Sequence, residues 1–332
     1  MICRDLRKQD LMACLEIAPA HIGDELVGRA HAIRAWGTMI QSPSFKAAVI
    51  EADPPIAGHR VVGFGSAVFV SRAFAEDEIS NPRPGLNSRI IASIHSGWPV
   101  ILSDAAIRSA NTNEGLDSVI LFPTFRNSIL SEEEISEVHM LGSLRFLDRH
   151  AGYRINQLIT EAIYEGQLEY FAASRAWRIV TFDDFYSRQP GTRWNSGRGL
   201  AVVTRQEAHA VMGSIVHPVF QYREPVLSLR DTDQQLLIAA LSGMTNQELS
   251  QQLRISLPAV KKRWNSVFER TFGARPDLFP SLGETYDDSK RGEQKRHRVL
   301  AYVGSHPEEL RPIERASRAT AKSRGKHNTA AV

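Results

Sequence analysis

Three consecutive cations, Lys261-Lys-Arg263, stand about one helical turn after Ser256-Leu-Pro258. Basic side chains so placed can neutralise backbone phosphates, and exposed neighbours can reach base edges. The flanking residues give them a frame. Thr245 and Glu248 have the spacing of a capping box, in which each side chain accepts from the other residue's backbone N–H. Ser256 is a second N-cap, and Pro258 falls in the first turn, where its missing N–H costs nothing. Leu249 and Leu253 share one face of the first helix, while Val260, Trp264, Val267 and Phe268 form an apolar stripe on the second. The spacing therefore predicts two short helices joined at Arg254-Ile-Ser256, the second of them basic. A third helix is predicted from Asp231 to Ser242, capped by Asp231 or Thr232, with Leu236, Leu237, Ala240 and Leu241 buried.

The strings Gly243-Met-Thr-Asn-Gln-Glu-Leu-Ser250 and Ile255-Ser-Leu-Pro-Ala-Val-Lys-Lys-Arg263 resemble the LuxR-type helix-turn-helix of bacterial transcription regulators. The resemblance runs ungapped over about 35 residues. It implies that the second helix enters the major groove of double-stranded DNA while the first crosses the backbone. The residues it marks for DNA contact are Thr245, Asn246, Ser256, Leu257, Ala259, Lys261, Lys262 and Arg263. Ala259 stands where the family has Thr and Arg263 where it has His, and one residue is added before Gly273.

Residues 1–220 alternate between strand-like and helix-like segments, which predicts an α/β domain. Strands are expected at Ile2–Leu6, Val100–Leu102, Val119–Phe122, Arg178–Phe182 and Leu200–Thr204. A hairpin is expected from Phe45–Glu51 to Arg60–Phe69, turning at Pro54-Pro55. Helical patterns cover Lys8–Ile17, His31–Ile40, Glu132–Leu147, Ile155–Arg175 and Gln206–Met212. This order resembles the Gcn5-related N-acetyltransferase fold. That family holds coenzyme A pyrophosphate on an Arg/Gln-x-x-Gly-x-Gly/Ala loop and the helix N-terminus behind it. The nearest string is Arg149-His-Ala-Gly-Tyr-Arg154, leading into Ile155–Ala162, so the resemblance marks Gly152 and Arg154 as cofactor-binding residues.

No stronger catalytic constellation is present. Glu132-Glu-Glu134 reads as the acidic first turn of a helix, and His139, His150 and His209 are scattered. No metal site and no catalytic residue is expected. Cys3 and Cys14 read as free thiols in a reducing compartment.

The net charge of +3 excludes a chain that is basic throughout. From Lys290 onward, however, eleven Lys or Arg stand against four Glu, so the positive charge is local. No apolar run is long enough to span a membrane. The expected organisation is an α/β N-terminal domain at 1–222, an acetyltransferase-like mixed sheet with flanking helices, followed by an all-α helix-turn-helix C-terminal domain at 226–280. A linker at 281–294, a short basic helical extension at 295–313 and a disordered basic tail at 314–332 complete it. The function expected is DNA-binding transcription regulation in the cytoplasm at the nucleoid, without enzymatic activity and without a cofactor. The partners are double-stranded DNA, a second copy of the chain in a homodimer, and RNA polymerase or another regulator. The alternatives are an acyltransferase using acyl-coenzyme A and targeted by its helix-turn-helix, or an adaptor that contacts the transcription machinery.

Overall fold

The computed structural model describes residues 1–18, 29–97, 100–163, 166–188, 199–279 and 288–314. The tail expected at 314–332 lies almost wholly outside the described residues. The chain forms two compact units, Met1–Gln221 and Tyr222–Val332.

The first unit is built on a seven-stranded sheet in the order β1-β2-β3-β4-β5-β7-β6. Its strands are β1 (Ile2–Asp5), β2 (Phe45–Ile56), β3 (His59–Val70), β4 (Leu116–Phe125), β5 (Ile155–Ala162), β6 (Arg178–Thr181) and β7 (Gly199–Thr204). Helices α1 (Leu11–Ile17) and α2 (Arg29–Met39) separate the first two strands. Three more, α3 (Arg72–Ser80), α4 (Leu86–His95) and α5 (Asp104–Thr112), are inserted between β3 and β4. Helix α6 (Glu132–His150) carries the chain from β4 to β5, and α7 (Gln167–Ala173), α8 (Asp183–Arg188) and α9 (Arg205–Ala210) fill the later connections. All pairings are antiparallel except β4 with β5, because the α6 crossover returns the chain in its starting direction.

Both faces of the sheet are covered. Alternate residues of one strand enter different cores: Leu200 and Val202 of β7 join one cluster, Ala201 and Val203 the other. On β5, Ile159 and Leu158 divide in the same way. A strand buried on both sides shows no polar alternation. That is why the helix expected over Ile155–Arg175 is instead a strand followed by the short helix α7. Ile155, Leu158, Ile159, Ala162 and Ile163 fall by chance at helical spacing, while Gln157, Thr160 and Glu161 are buried among them.

The hairpin also differs from expectation. Its turn is Ala57-Gly58, both with positive φ, as the tight turns between twisted strands require. Pro54 and Pro55 lie in the exposed end of β2, where lost N–H donors break the ladder between Glu51 and Ile56. Val100–Leu102 contributes only an isolated bridge, Val70 to Ile101.

The second unit has helices and no strand among its described residues. Helices α10 (Asp231–Ala240), α11 (Asn246–Leu253) and α12 (Leu257–Ala274) share one core with α13 (Asp288–Ser305). The cap of α10 is Arg230, whose N–H is accepted by the buried Asp233 carboxylate, rather than Asp231 or Thr232. The span expected as linker, 281–294, is helical from Asp288 on, because α13 extends a turn or more into that polar stretch. The expected basic extension is likewise no appendage: Val299, Tyr302, Val303 and Leu310 are buried with Leu236, Leu249 and Trp264. Glu309 closes this unit, accepting from the N–H groups of Val226 at 2.9 Å and Leu227 at 3.0 Å.

Gly199 tests the outer edge of the sheet. A Cβ added there would stand 2.5 Å from the Val180 carbonyl oxygen, so backbone must shift. Gly199→Ala is expected to destabilise the first unit by about 1–3 kcal/mol in urea denaturation, and an unchanged midpoint would contradict this close approach.

Candidate functional site

The β4–β5 pair is closed only at its beginning. Residues pair from Leu116↔Ile155 to Ile120↔Thr160, and beyond Ile120 no pairing joins the two strands. β4 continues to Phe125 against β3 alone, while Glu161 and Ala162 of β5 pair only with β7. The carboxyl ends of two parallel strands therefore diverge into a fork, the usual place for a ligand in an open α/β sheet. A bulge sits on the same stretch of β4: between Phe64↔Thr124 and Ser66↔Leu121, Phe122 and Pro123 oppose the single residue Gly65. Bulges of this kind redirect a strand and are enriched beside active sites.

Glu161 is the first residue of β5 past the fork and is 3% exposed. Its carboxylate accepts from the N–H groups of Gly85 and Leu86, both at 2.8 Å, at the N-terminus of α4. Gly85 has φ +88, a conformation that aims successive N–H groups at one acceptor. Burial pushes the Glu161 pKa up, against those hydrogen bonds and nearby Arg89, which oppose the rise. Arg89 itself forms a fork-to-fork pair with Glu78, which is fully buried, and also donates to the carbonyl of Pro84 at 2.6 Å. The α3–α4 corner is thus bound to the tip of β5 by charge-assisted bonds.

Arg126-Asn-Ser-Ile-Leu-Ser131 follows β4 directly and leads into α6. Ser131 and Glu134 form a reciprocal capping box at the α6 N-terminus, and Glu132, Glu133 and Glu134 occupy its first turn. An end so capped and so acidic opposes an incoming pyrophosphate. Arg126 is engaged as well, donating to the Val61 carbonyl at 3.1 Å and to Glu16 at 2.9 Å.

Gly152 and Arg154, expected to bind a cofactor, lie at the opposite end of α6 in the turn before β5. Gly152 has φ +79, Arg154 N–H donates to Asn111 at 2.8 Å, and its guanidinium donates to the Thr112 carbonyl. No helix follows them, because Ile155–Ala162 is a strand. Arg154 fastens α5 to the sheet, and the assignment of Gly152 and Arg154 to a phosphate loop ahead of a helix is corrected accordingly.

Elsewhere in this unit, a pocket of about 410 Å³ is lined by Arg4, Arg7, Asp10, Glu51 and Arg60 among others. Arg4 is engaged there, bonded to both oxygens of Asp10 and to Glu51. These bonds tie β1 to β2 and to the turn before α1. Among the described residues, no group of three His, Cys, Asp or Glu is placed to hold a metal. His150 is a core residue, its ring against Phe146 and Phe69 and its Nδ1 at 2.8 Å from the Phe146 carbonyl.

In the helical unit, the residues marked for DNA contact gather at two helix starts. Thr245 caps α11, its hydroxyl accepting from Glu248 N–H while its own N–H donates to Glu248. Asn246 opens α11 and accepts from Arg296 at 3.3 Å. Ser256 caps α12 through the Ala259 N–H. Leu257, Lys261 and Lys262 are exposed, and Ala259 and Arg263 are half-buried. Val260, Trp264 and Val267 turn the opposite side of α12 into the core. Arg254, in the left-handed conformation with φ 53, makes the turn between the two helices. Sequence reasoning missed Glu161 and Arg296. A lone acid inside the apolar run Leu158–Ile163 was the available signal for Glu161, whereas nothing local to Arg296 revealed its partners.

One solved structure similar to this chain is that of FeeM, an N-acyl amino acid synthase from uncultured soil microbes. The identity is 10% and the TM-score 0.34, over 64% of this chain and 94% of that one. No family model and no curated protein matches the sequence. That neighbour is described as an enzyme, whereas the sequence was expected to encode none. No helix among the described residues is long and apolar enough to cross a membrane.

The Glu161 junction has a pH signature. Its pKa is raised on folding, so the folded unit keeps a proton that the unfolded chain releases. This contribution to stability is complete below the unfolded carboxyl pKa and fades as pH rises through the folded one. The unfolding free energy of the wild type relative to Glu161→Gln is expected to fall as pH rises above the ordinary carboxylate range of about 4. A constant difference would refute the assignment. Glu161→Ala, which leaves two buried N–H groups unpaired, is expected to cost about 3 kcal/mol at neutral pH.

Proposed function

We propose that the first unit transfers acyl groups and that the helical unit brings it to double-stranded DNA. The observation that carries the first half is the fork beyond Ile120 and Thr160, with its bulge at Phe122-Pro123. A strand edge whose pairing has ended can receive an extended, amide-bearing chain by strand addition. The pantetheine arm of an acyl thioester has that chemistry. The order of the described elements, with α1 and α2 after β1, antiparallel β2, β3 and β4, and the crossover helix α6 before β5, supports the acetyltransferase resemblance. The acidic, self-capped start of α6 implies that such a thioester is held mainly through its arm and acyl group, with little help from a pyrophosphate at this helix. Glu161 contributes by fixing α4 beside the fork. Titration calorimetry of the full chain with acetyl- and longer acyl-coenzyme A is expected to show binding. Absence of heat with every acyl length would overturn the acyltransferase reading.

The second half rests on the exposed Lys261 and Lys262, which share the outer side of α12 with Leu257. That side is opposite the buried Val260 and Trp264, so groove entry by α12 needs no rearrangement of the core. Regulation of transcription, through RNA polymerase or a second copy of the chain, belongs to this reading. In gel-shift titrations on promoter fragments, Lys261→Ala/Lys262→Ala is expected to weaken binding and reduce the magnitude of the salt slope by about 1.8. Full binding with an unchanged slope would remove α12 from the DNA interface.

A further inference from the structure

We propose that Arg296 is a contact to the DNA backbone, supplied by a helix outside the two-helix motif; this rests on the DNA-binding reading of the helical unit. Arg296 belongs to α13, which the LuxR-type resemblance does not cover. Its guanidinium lies 4.9 Å over the Trp264 ring of α12. One edge donates to Asn246 Oδ1 at 3.3 Å and to the Met244 carbonyl. A cation is thereby held at the start of α11, the end of the first helix that crosses the backbone in this mode of binding. The side chain is half-buried, and Glu293 of the same helix is a further charge acting on it.

The electrostatics of that helix start call for such a cation. A free helix N-terminus can bind phosphate through its unpaired N–H groups and its dipole. Here the Thr245–Glu248 box occupies two N–H groups, those of Thr245 and Glu248, and leaves a carboxylate at the surface. Hydrogen bonds from Thr245 hold the Glu248 pKa low, so the group stays anionic. An approaching phosphate would meet negative charge, and Arg296 supplies the offsetting positive charge. The stack on Trp264 sets the plane of the guanidinium and the two hydrogen bonds set its edge, so little side-chain freedom remains to be lost on binding. Asn246 then has two roles, orienting Arg296 and lining the same backbone site.

The test is fluorescence anisotropy of the full chain with a labelled mixed-sequence duplex over a range of salt. Arg296→Gln is expected to bind more weakly and to reduce the magnitude of the salt slope by about 0.9, whereas Arg296→Lys keeps the slope. Between about 50 and about 200 mM salt, the wild type then loses about three- to fourfold more affinity than the Gln variant. In the wild type itself, saturating duplex is expected to slow phenylglyoxal modification of Arg296, read by mass spectrometry. That readout does not depend on any variant folding. Equal modification with and without duplex, or equal slopes for wild type and Arg296→Gln, overturns the contact. Slopes lost equally in the Gln and Lys variants, together with lowered melting temperatures, reduce Arg296 to a packing residue. A wild type that binds no duplex overturns the DNA reading itself.

Discussion

The crossover from β4 to β5 is the constraint on which the first unit depends. Parallel neighbours cannot be joined by a tight turn, so the chain must leave the sheet and return along its face through α6. Their carboxyl ends are therefore free to diverge at the same end of the sheet. Every other pairing is antiparallel and can close with short connections, so only here does the sheet open without interrupting its core. The inserted α3–α5 segment matters because it places α4 against this opening. Glu161 converts that placement into a fixed one, with two backbone N–H groups of α4 held on a single carboxylate.

Much of the helical unit was legible because its signals are local. Thr245 and Glu248, and Ser256 ahead of Pro258, announce helix starts within four residues of sequence, and the hydrogen bonds form as the spacing requires. Lys261 and Lys262 are exposed for a related reason, since Val260 and Trp264 commit the opposite side of the helix to the core. What escaped was long-range. The partners of Arg296 are 32 to 52 residues away, on α12 and around the start of α11, and no pattern near Arg296 encodes them. The polar run before Lys295 suggested a linker because an exposed helix and a linker have similar composition.

The first unit was harder to read for a different reason. A sheet buried on both faces removes the alternation that distinguishes strand from helix, so Ile155–Ala162 carried a helical period without forming a helix. That single substitution of element left the candidate phosphate loop, with Gly152 and Arg154, ahead of a strand where a helix start was expected. The hairpin was read correctly in its strands and wrongly in its turn. Proline marks irregular backbone well, but two residues with positive φ decide where the chain reverses, and Ala57 hides one of them.

Glu309 brings Val226 and Leu227, at the entry of the helical unit, together with the segment that follows α13. Gln234 reinforces the junction, donating to the carbonyls of Glu309 and Arg311, both at 2.9 Å. The first and last described segments of this unit therefore sit side by side, and its described part is a loop closed at its neck. Such a module can be carried in another chain as an insertion, or have its ends rejoined and reopened elsewhere, without its core being asked to change. A fragment that stops at Ala274, by contrast, would discard the neck and α13 together, although it would retain every residue of the two-helix motif.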